Sequence, residues 1–301
     1  MQLIRCHAGD GSAPLIGMLD AGVVTSLRGV ATMAGLLALP LRQIRQLCED
    51  PGGDAVPYAK VSLLAPVDGT TDVWAAGVTY ERSKDARVLE SEDSADIYDR
   101  VYTAHRPELF FKSAAWRVVG PGGAVAVRGD SEVDVPEPEL AAVLNSGGEV
   151  VGYTICNDMS SRSIEGENPL YLPQAKIYLG GCGMGPWIRP AWEVPDPYSL
   201  AIEMTIRRDG QVVWDGEAST AGLRRGIGEL AEFLFREDEF PGGVVLSTGT
   251  SLVPDLPFTL IAGDEIRISI PAVGELVNRV VRGKAAALAG LLPALRRPGR
   301  W

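Results

Sequence analysis

Histidine is nearly absent from this chain of 301 residues, which has only His7 and His105. That scarcity removes the usual material for an imidazole-built zinc site, and a Ser-His-Asp relay would depend on one of two residues. His7 reads as a strand residue of the N-terminal region, and His105 as a partly exposed residue between Arg100 and Arg106. No GxGxxG, GxxxxGKS/T, GxSxG or HExxH string occurs, so the dinucleotide, P-loop, serine-hydrolase and zincin readings lose their signals. The four cysteines, Cys6, Cys48, Cys156 and Cys182, show no CxxC spacing. Cys156 and Cys182 read as fillers of small core spaces, because no histidine stands nearby in sequence to activate a thiol. The start, MQLIRCHAGD, lacks a basic segment followed by an apolar stretch, and the expectation is reduced thiols in a cytoplasm. The longest near-apolar stretch, Gly29 to Leu41, is too short to span a bilayer. An excess of positive charge is missing as well: 28 Lys and Arg against 39 Asp and Glu leave a net charge of −11. Such a field disfavours nucleic acid and anionic membrane as partners.

With 46% hydrophobic residues, 22% charged residues and a mean hydropathy of +0.07, the composition is that of a globular protein with a sizeable core. Residues 1–65 read as a small α+β domain. It has strands near Met1–Cys6, Leu15–Leu19 and Val23–Leu27, helices over Gly29–Leu39 and Arg42–Glu49, and a linker at Glu49–Pro57. Residues 66–301 read as a larger sheet-based domain, so the fold class is α+β. Within it, Asp209-Gly210 between two alternating runs predicts a tight hairpin. One amphipathic helix is expected at about Ser219–Arg236, followed by strands at Phe258–Ile261, Glu265–Ile270 and Glu275–Val281.

The informative chemistry begins at VPEPEL. Glu137 and Glu139 stand two apart in an extended stretch, so the strand period points both to one face. Pro136 and Pro138 remove backbone donors, which predicts an edge or bulged strand at a cavity rim. A second strand, Glu149–Ile155, leads into NDMSSR and places Asp158 where it can meet the first two carboxylates. Three converging carboxylates repel one another, and a divalent cation resolves the repulsion. Oxygen-only ligation suits Mg²⁺, with Mn²⁺ as the substitute, better than zinc.

Several strings carry a resemblance. They are GVTYERSKDAR at 77–87, RPELFFK at 106–112, VPEPEL at 135–140, GYTICNDMSSRSIEGENPLYLPQAK at 152–176, STGTSLVP at 247–254 and GDEIRISIPAVGELVNRV at 263–280. Together they resemble the fumarylacetoacetate hydrolase family over about residues 70–290. The resemblance implies a β-sandwich roll with a small N-terminal α+β domain, homodimers or homotetramers, and Mg²⁺ held by Glu137, Glu139 and Asp158. Hydrolytic members carry a His and a Glu three and six residues after the Tyr that matches Tyr80; here those positions are Ser83 and Ala86. Hydrolysis of a C–C bond in a 2,4-diketo-3-deoxy sugar acid or acylpyruvate, the alternative reading, lacks that base unless Glu90 or His105 replaces it.

The strings look most like the branch that dehydrates 2-keto-3-deoxy-D-arabinonate, the same molecule as 2-keto-3-deoxy-D-xylonate. The implied activity is that of a metal-dependent hydro-lyase of pentose catabolism yielding 2,5-dioxopentanoate. A 2-keto acid chelates the metal through its carboxylate and keto oxygen, and loss of a carbon 3 proton and of the carbon 4 hydroxyl follows. Lys176, which matches an active-site lysine of that branch, and Glu108 are the expected acid and base. Arg82, Ser83, Lys112 and Thr250 are the expected contacts of a small anionic 2-keto acid. The charged segment 81–105 is expected to be a mobile lid.

Overall fold

Alternating apolar residues favour strands with one face turned inward, and the computed structural model, which describes residues 1–9, 12–81 and 100–295, builds two facing sheets from them. The larger sheet runs in the spatial order Gly52–Pro57, Val23–Leu27, Pro14–Asp20, Gln2–His7, Cys182–Pro190, Val150–Asp158, Pro138–Leu144, Val244–Ser247, Asp72–Gly77, Glu108–Ala114. The smaller runs Gln211–Ser219, Ala201–Arg208, Glu265–Ile270, Gly274–Arg282, Ala124–Val127.

The sandwich core lies between them. Leu140, Ala142 and Ile155 of the larger sheet pack against Ile202, Met204, Ile206, Ile266 and Ile268 of the smaller. The strand period sends Ala141 and Val143 to the opposite face, where Met33, Leu36, Leu37 and Ile44 of two short helices, Met33–Leu37 and Leu41–Glu49, share their core. The architecture is the expected α+β β-sandwich of the fumarylacetoacetate hydrolase type. No helix of the described residues is long and apolar enough to cross a membrane.

Local expectations fared unevenly. Asp209 (φ 51°) and Gly210 (φ 79°) close a two-residue hairpin in which Arg208 pairs with Gln211, the left-handed geometry that an Asp-Gly turn supplies. The expected linker contains the strand Gly52–Pro57, registered on Val23–Leu27. Its Gly, Asp and Pro content hid it, because an exposed edge strand needs no apolar face. The helix expected over Gly29–Leu39 shortens to Met33–Leu37, with the Thr32 hydroxyl accepting from the Gly35 N–H at 2.9 Å. The single helix expected at Ser219–Arg236 divides, since Ser219 ends a strand and the helix spans Ile227–Phe235. Phe258–Ile261 is irregular rather than a strand.

One correction bears on the site. Of the two readings, edge or bulged, the first does not hold: Pro138–Leu144 is buried throughout and lies between Val150–Asp158 and Val244–Ser247, with a register irregularity at Val143/Leu144. The prolines are tolerated because Val244–Ser247 pairs with Ala141–Leu144 and goes no further, so the missing Pro138 donor faces no ladder partner there. On the other side, Glu137 and Asp158 exchange both backbone hydrogen bonds, at 3.2 and 2.9 Å.

Ile155 is fully buried at the centre of this stack. Ile155→Ala should lower unfolding free energy by about 2–5 kcal/mol in urea denaturation, through lost transfer energy and the cavity left behind. A change near zero would mean the two sheets repack freely.

Candidate active site

Because Glu137 and Asp158 are directly opposed across the ladder, and Glu139 lies two residues on, three carboxylates are presented on one face. One oxygen from each lies within 4.8 Å of the others, and all three residues are buried. Three cations answer them. Lys112 pairs with Asp158, and its Nζ also donates to the carbonyls of Met159 (2.9 Å) and Lys176 (2.6 Å). Lys176 Nζ lies 3.0 Å from Glu137 and 3.3 Å from Asp158 and donates to Ser160 Oγ at 2.5 Å. Arg162 reaches Glu137 at 2.9 Å and Glu165 at 3.4 Å.

Glu139 is held differently. One of its oxygens accepts from Ser247 Oγ at 2.5 Å and from the Gly249 N–H at 2.8 Å. Burial foremost, then Asp158, Cys156 and Glu137, push its carboxyl well above its ordinary value of 4.5, against the lowering effect of Ser247. Burial, and then Glu139, also raise the Tyr80 hydroxyl. The space bounded by these groups, Phe110 and Val78 measures about 10 Å³, enough for one ion or one water. Val78, at φ 53°, is a β-branched residue in the left-handed region, a conformation that costs roughly 1–3 kcal/mol.

The wall comes from Glu108–Ala114, whose alternation puts Glu108 and Phe110 on one face, and a register irregularity against Asp72–Gly77 falls at Lys112. The Phe110 ring centroid lies 5.9 Å from Lys176 Nζ. Gly77 pairs with Glu108, and a Cβ there would stand 2.0 Å from Glu108 Oε2; only glycine lets that carboxylate lie over the strand.

Glu137, Glu139, Asp158, Lys112 and Lys176 lie together, and Glu108 lies along the adjoining wall. Thr250 borders the same space, but its hydroxyl is engaged with the carbonyls of Pro138 (2.9 Å) and Leu252 (3.2 Å). Arg82, Ser83 and Glu90, with most of the expected lid, lie outside the described residues. The end of that segment is pinned, since Arg224 donates to the Tyr102 carbonyl at 2.8 Å and Arg225 to those of Val101 and Ala104. His105 packs on Phe233 with ring centroids 5.4 Å apart, and is no part of the cluster. Cys156 and Cys182 touch each other, with sulfurs 3.9 Å apart. Sequence reasoning missed Arg162, Ser160 and Ser247. The one available signal was an arginine four residues beyond Asp158 in NDMSSR.

Residues 73–281 match the family model described as Fumarylacetoacetate (FAA) hydrolase C-terminal. The chain belongs to the fumarylacetoacetate hydrolase family. A Haloferax volcanii protein named "Probable 2-keto-3-deoxyxylonate dehydratase" is 50% identical over 241 residues, 79% of this chain and 82% of that one. The 2-dehydro-3-deoxy-D-arabinonate dehydratase of Saccharolobus solfataricus is 44% identical over 226 residues, 73% of this chain and 74% of that one. A solved structure of 2-keto-3-deoxy-D-arabinonate dehydratase complexed with magnesium and 2,5-dioxopentanoate aligns with TM-score 0.80 and 35% identity, covering 94% of this chain and all of that one.

The raised Glu139 carboxyl ties stability to pH. The folded state holds this proton more tightly than the unfolded chain does. The stability it adds is complete below the ordinary value of 4.5 and lost as pH rises through the folded value. Calorimetry in the presence of a chelator should show the thermal midpoint falling across that window. Glu139→Gln should flatten the fall, and an unaltered slope in the variant would assign it to another group.

Proposed function

We propose that this protein is a magnesium-dependent dehydratase that converts 2-keto-3-deoxy-D-arabinonate, equivalently 2-keto-3-deoxy-D-xylonate, into 2,5-dioxopentanoate. The observation that carries the reading is the buried trio of carboxylates interleaved with lysines, in a chain 44% identical to a named arabinonate dehydratase. The donor set fits the metal: three carboxylate oxygens close enough to share one ion, without imidazole or thiolate, around an ion-sized space. Glu137, Glu139 and Asp158 would hold it. Bound there, magnesium supplies Lewis-acid polarisation of the keto oxygen of a 2-keto acid.

The protein's own charges set the rest. Lys112, Lys176 and Arg162 formally neutralise the three carboxylates. Arg162 also pairs with Glu165, so a divalent ion would offset the remaining carboxylate charge at the point where an anionic substrate binds. Glu108, on the wall beside Gly77 and acceptor-only when ionised, removes the proton from carbon 3. Lys176, an ammonium with three donors, protonates the departing carbon 4 hydroxyl, and water leaves. A proton shift from carbon 5 and enol-to-aldehyde tautomerisation complete 2,5-dioxopentanoate. Arg82 and Ser83 are the proposed contacts of the substrate anion, whereas Lys112, expected in the same role, spends its three donors on Asp158 and the carbonyls of Met159 and Lys176 and acts by holding Asp158. Since the Thr250 hydroxyl is committed to the backbone, that residue contributes through its place in the 247–250 turn. The hydrolytic alternative is not favoured, because both named relatives are dehydratases.

Residues 1–65 buttress the catalytic unit 66–301, with Leu3 paired to Ile188 across the junction. The four free, buried cysteines support a cytoplasmic setting. A homodimer or homotetramer is supported by the exposed apolar edge at Val212 and Val213, and light scattering measures it directly.

Purified protein given 2-keto-3-deoxy-D-pentonate and Mg²⁺ should release one water and yield 2,5-dioxopentanoate by mass spectrometry. No mass change with folded, metal-loaded protein would overturn the reading. Lys176→Met should lower kcat by about 10²–10⁴-fold. Glu137→Gln and Asp158→Asn should each weaken Mg²⁺ binding in calorimetry by roughly tenfold or more.

A further inference from the structure

A separate cavity of about 470 Å³ opens between the turn at Arg128–Asp130 and the start of the C-terminal helix Gly283–Leu295. Three cations line it, Arg117, Arg128 and Lys284, against the single carboxylate of Asp130. In a chain with a net charge of −11, that local positive excess is a feature to be explained.

The three cations differ in how far they are satisfied. Arg128 is engaged through all three nitrogens, donating to both Asp130 oxygens at 2.8 and 2.6 Å and to the Gln174 carbonyl at 3.0 Å, which leaves two of its five N–H donors for a ligand. Arg117 is not: its Nε is buried without a hydrogen-bond partner among the described residues, and its guanidinium lies over the Trp116 ring at 4.8 Å. Lys284 is exposed at the rim, and no ion pair engages it among the described residues. Arg117 lines the cavity without an ion pair among the described residues, and an anion there would gain a charge-assisted contact with its guanidinium. Between the cations lie Val127 and the ring of Tyr178, so part of the wall is apolar. The volume is in the range of small-molecule sites and well above what a bare inorganic anion fills.

One ring joins this cavity to the catalytic cluster. The Tyr178 centroid lies 5.6 Å from Arg128 Cζ and 5.8 Å from Lys112 Nζ, and Lys112 pairs with Asp158. We propose that the cavity is a second binding site, for a small organic dianion with a short apolar body, and that its occupancy is felt at the carboxylate cluster through Tyr178. An anion drawn to Arg117 and Lys284 also competes with Asp130 for Arg128. Any movement of that guanidinium alters the packing of the ring that Lys112 shares.

Calorimetric titration with glutarate, a five-carbon dicarboxylate, tests the site without relying on turnover. Glutarate should bind the wild-type protein, and Lys284→Gln and Arg117→Gln should each weaken it, together by at least roughly tenfold. Lys176→Met, in the catalytic cluster, should change glutarate affinity far less than the two cation variants do. Saturating glutarate should shift Mg²⁺ affinity in the wild type, with the reciprocal shift in glutarate affinity, and Tyr178→Leu should abolish both. Lys284→Gln is an exposed substitution, so its effect is readable even if the Arg117 variant folds poorly. Absence of glutarate binding would overturn the proposal, as would binding lost in Lys176→Met but retained in the two cation variants. Inorganic phosphate binding as tightly as glutarate would remove the apolar body from the proposal and defeat it in that form. Binding with no effect on Mg²⁺ affinity would defeat the coupling.

Discussion

Three like charges held within 4.8 Å of one another, out of water, are the constraint on which this molecule is organised. Left alone they would repel and take up protons. Lys112, Lys176 and Arg162 answer this with direct ion pairs, and Ser247 and Gly249 with hydrogen bonds to Glu139. Buried ion pairs contribute little net stability once desolvation is counted, so their value here is placement. The cluster is oriented and dry, and because burial raises the Glu139 carboxyl, a hard cation bound there would take the place of a proton.

The surrounding fold follows from that need for rigidity. Glu137 and Asp158 are fixed by reciprocal backbone bonds in the middle of a sheet whose two faces are both covered by apolar cores. Lys112 and Glu108 come from a third strand, separated from Pro138–Leu144 by two others in the sheet order. Strain is tolerated where function is close: Val78 holds a left-handed backbone at the edge of the same space. Tyr178 extends this organisation outward, since its ring lies near Lys112 of the carboxylate cluster and near Arg128 of the neighbouring cavity.

Much of the site was legible because it rests on short-range rules. The spacing of Glu137 and Glu139 needs only the period of an extended chain, and the Asp209-Gly210 turn needs only positive φ. Lys176 and Lys112 entered through family strings, not through any local rule. Misreadings arose where local and tertiary preferences part. Pro136 and Pro138 suggested an edge, but an edge is defined by which strand lies alongside, and the neighbour here stops at Ala141. Gly52–Pro57 looked like a linker because an exposed outer strand has no apolar pattern to reveal it. Arg162 gave no periodic signal, and its role depends on the short helix Arg162–Glu167 aiming it at Glu137.

The order of residues by itself determined the carboxylate pair, the family, the α+β class and an acidic chemistry poor in histidine, because these depend on residue type and spacing along one segment. Tertiary structure alone decided which cation meets which carboxylate, that the Thr250 hydroxyl turns to the backbone, and that Arg117 and Lys284 share a cavity with Arg128. Lys112 and Asp158 are 46 positions apart and Thr250 and Pro138 are 112 apart, and only the packing of sheets and helices brings such distant groups into contact.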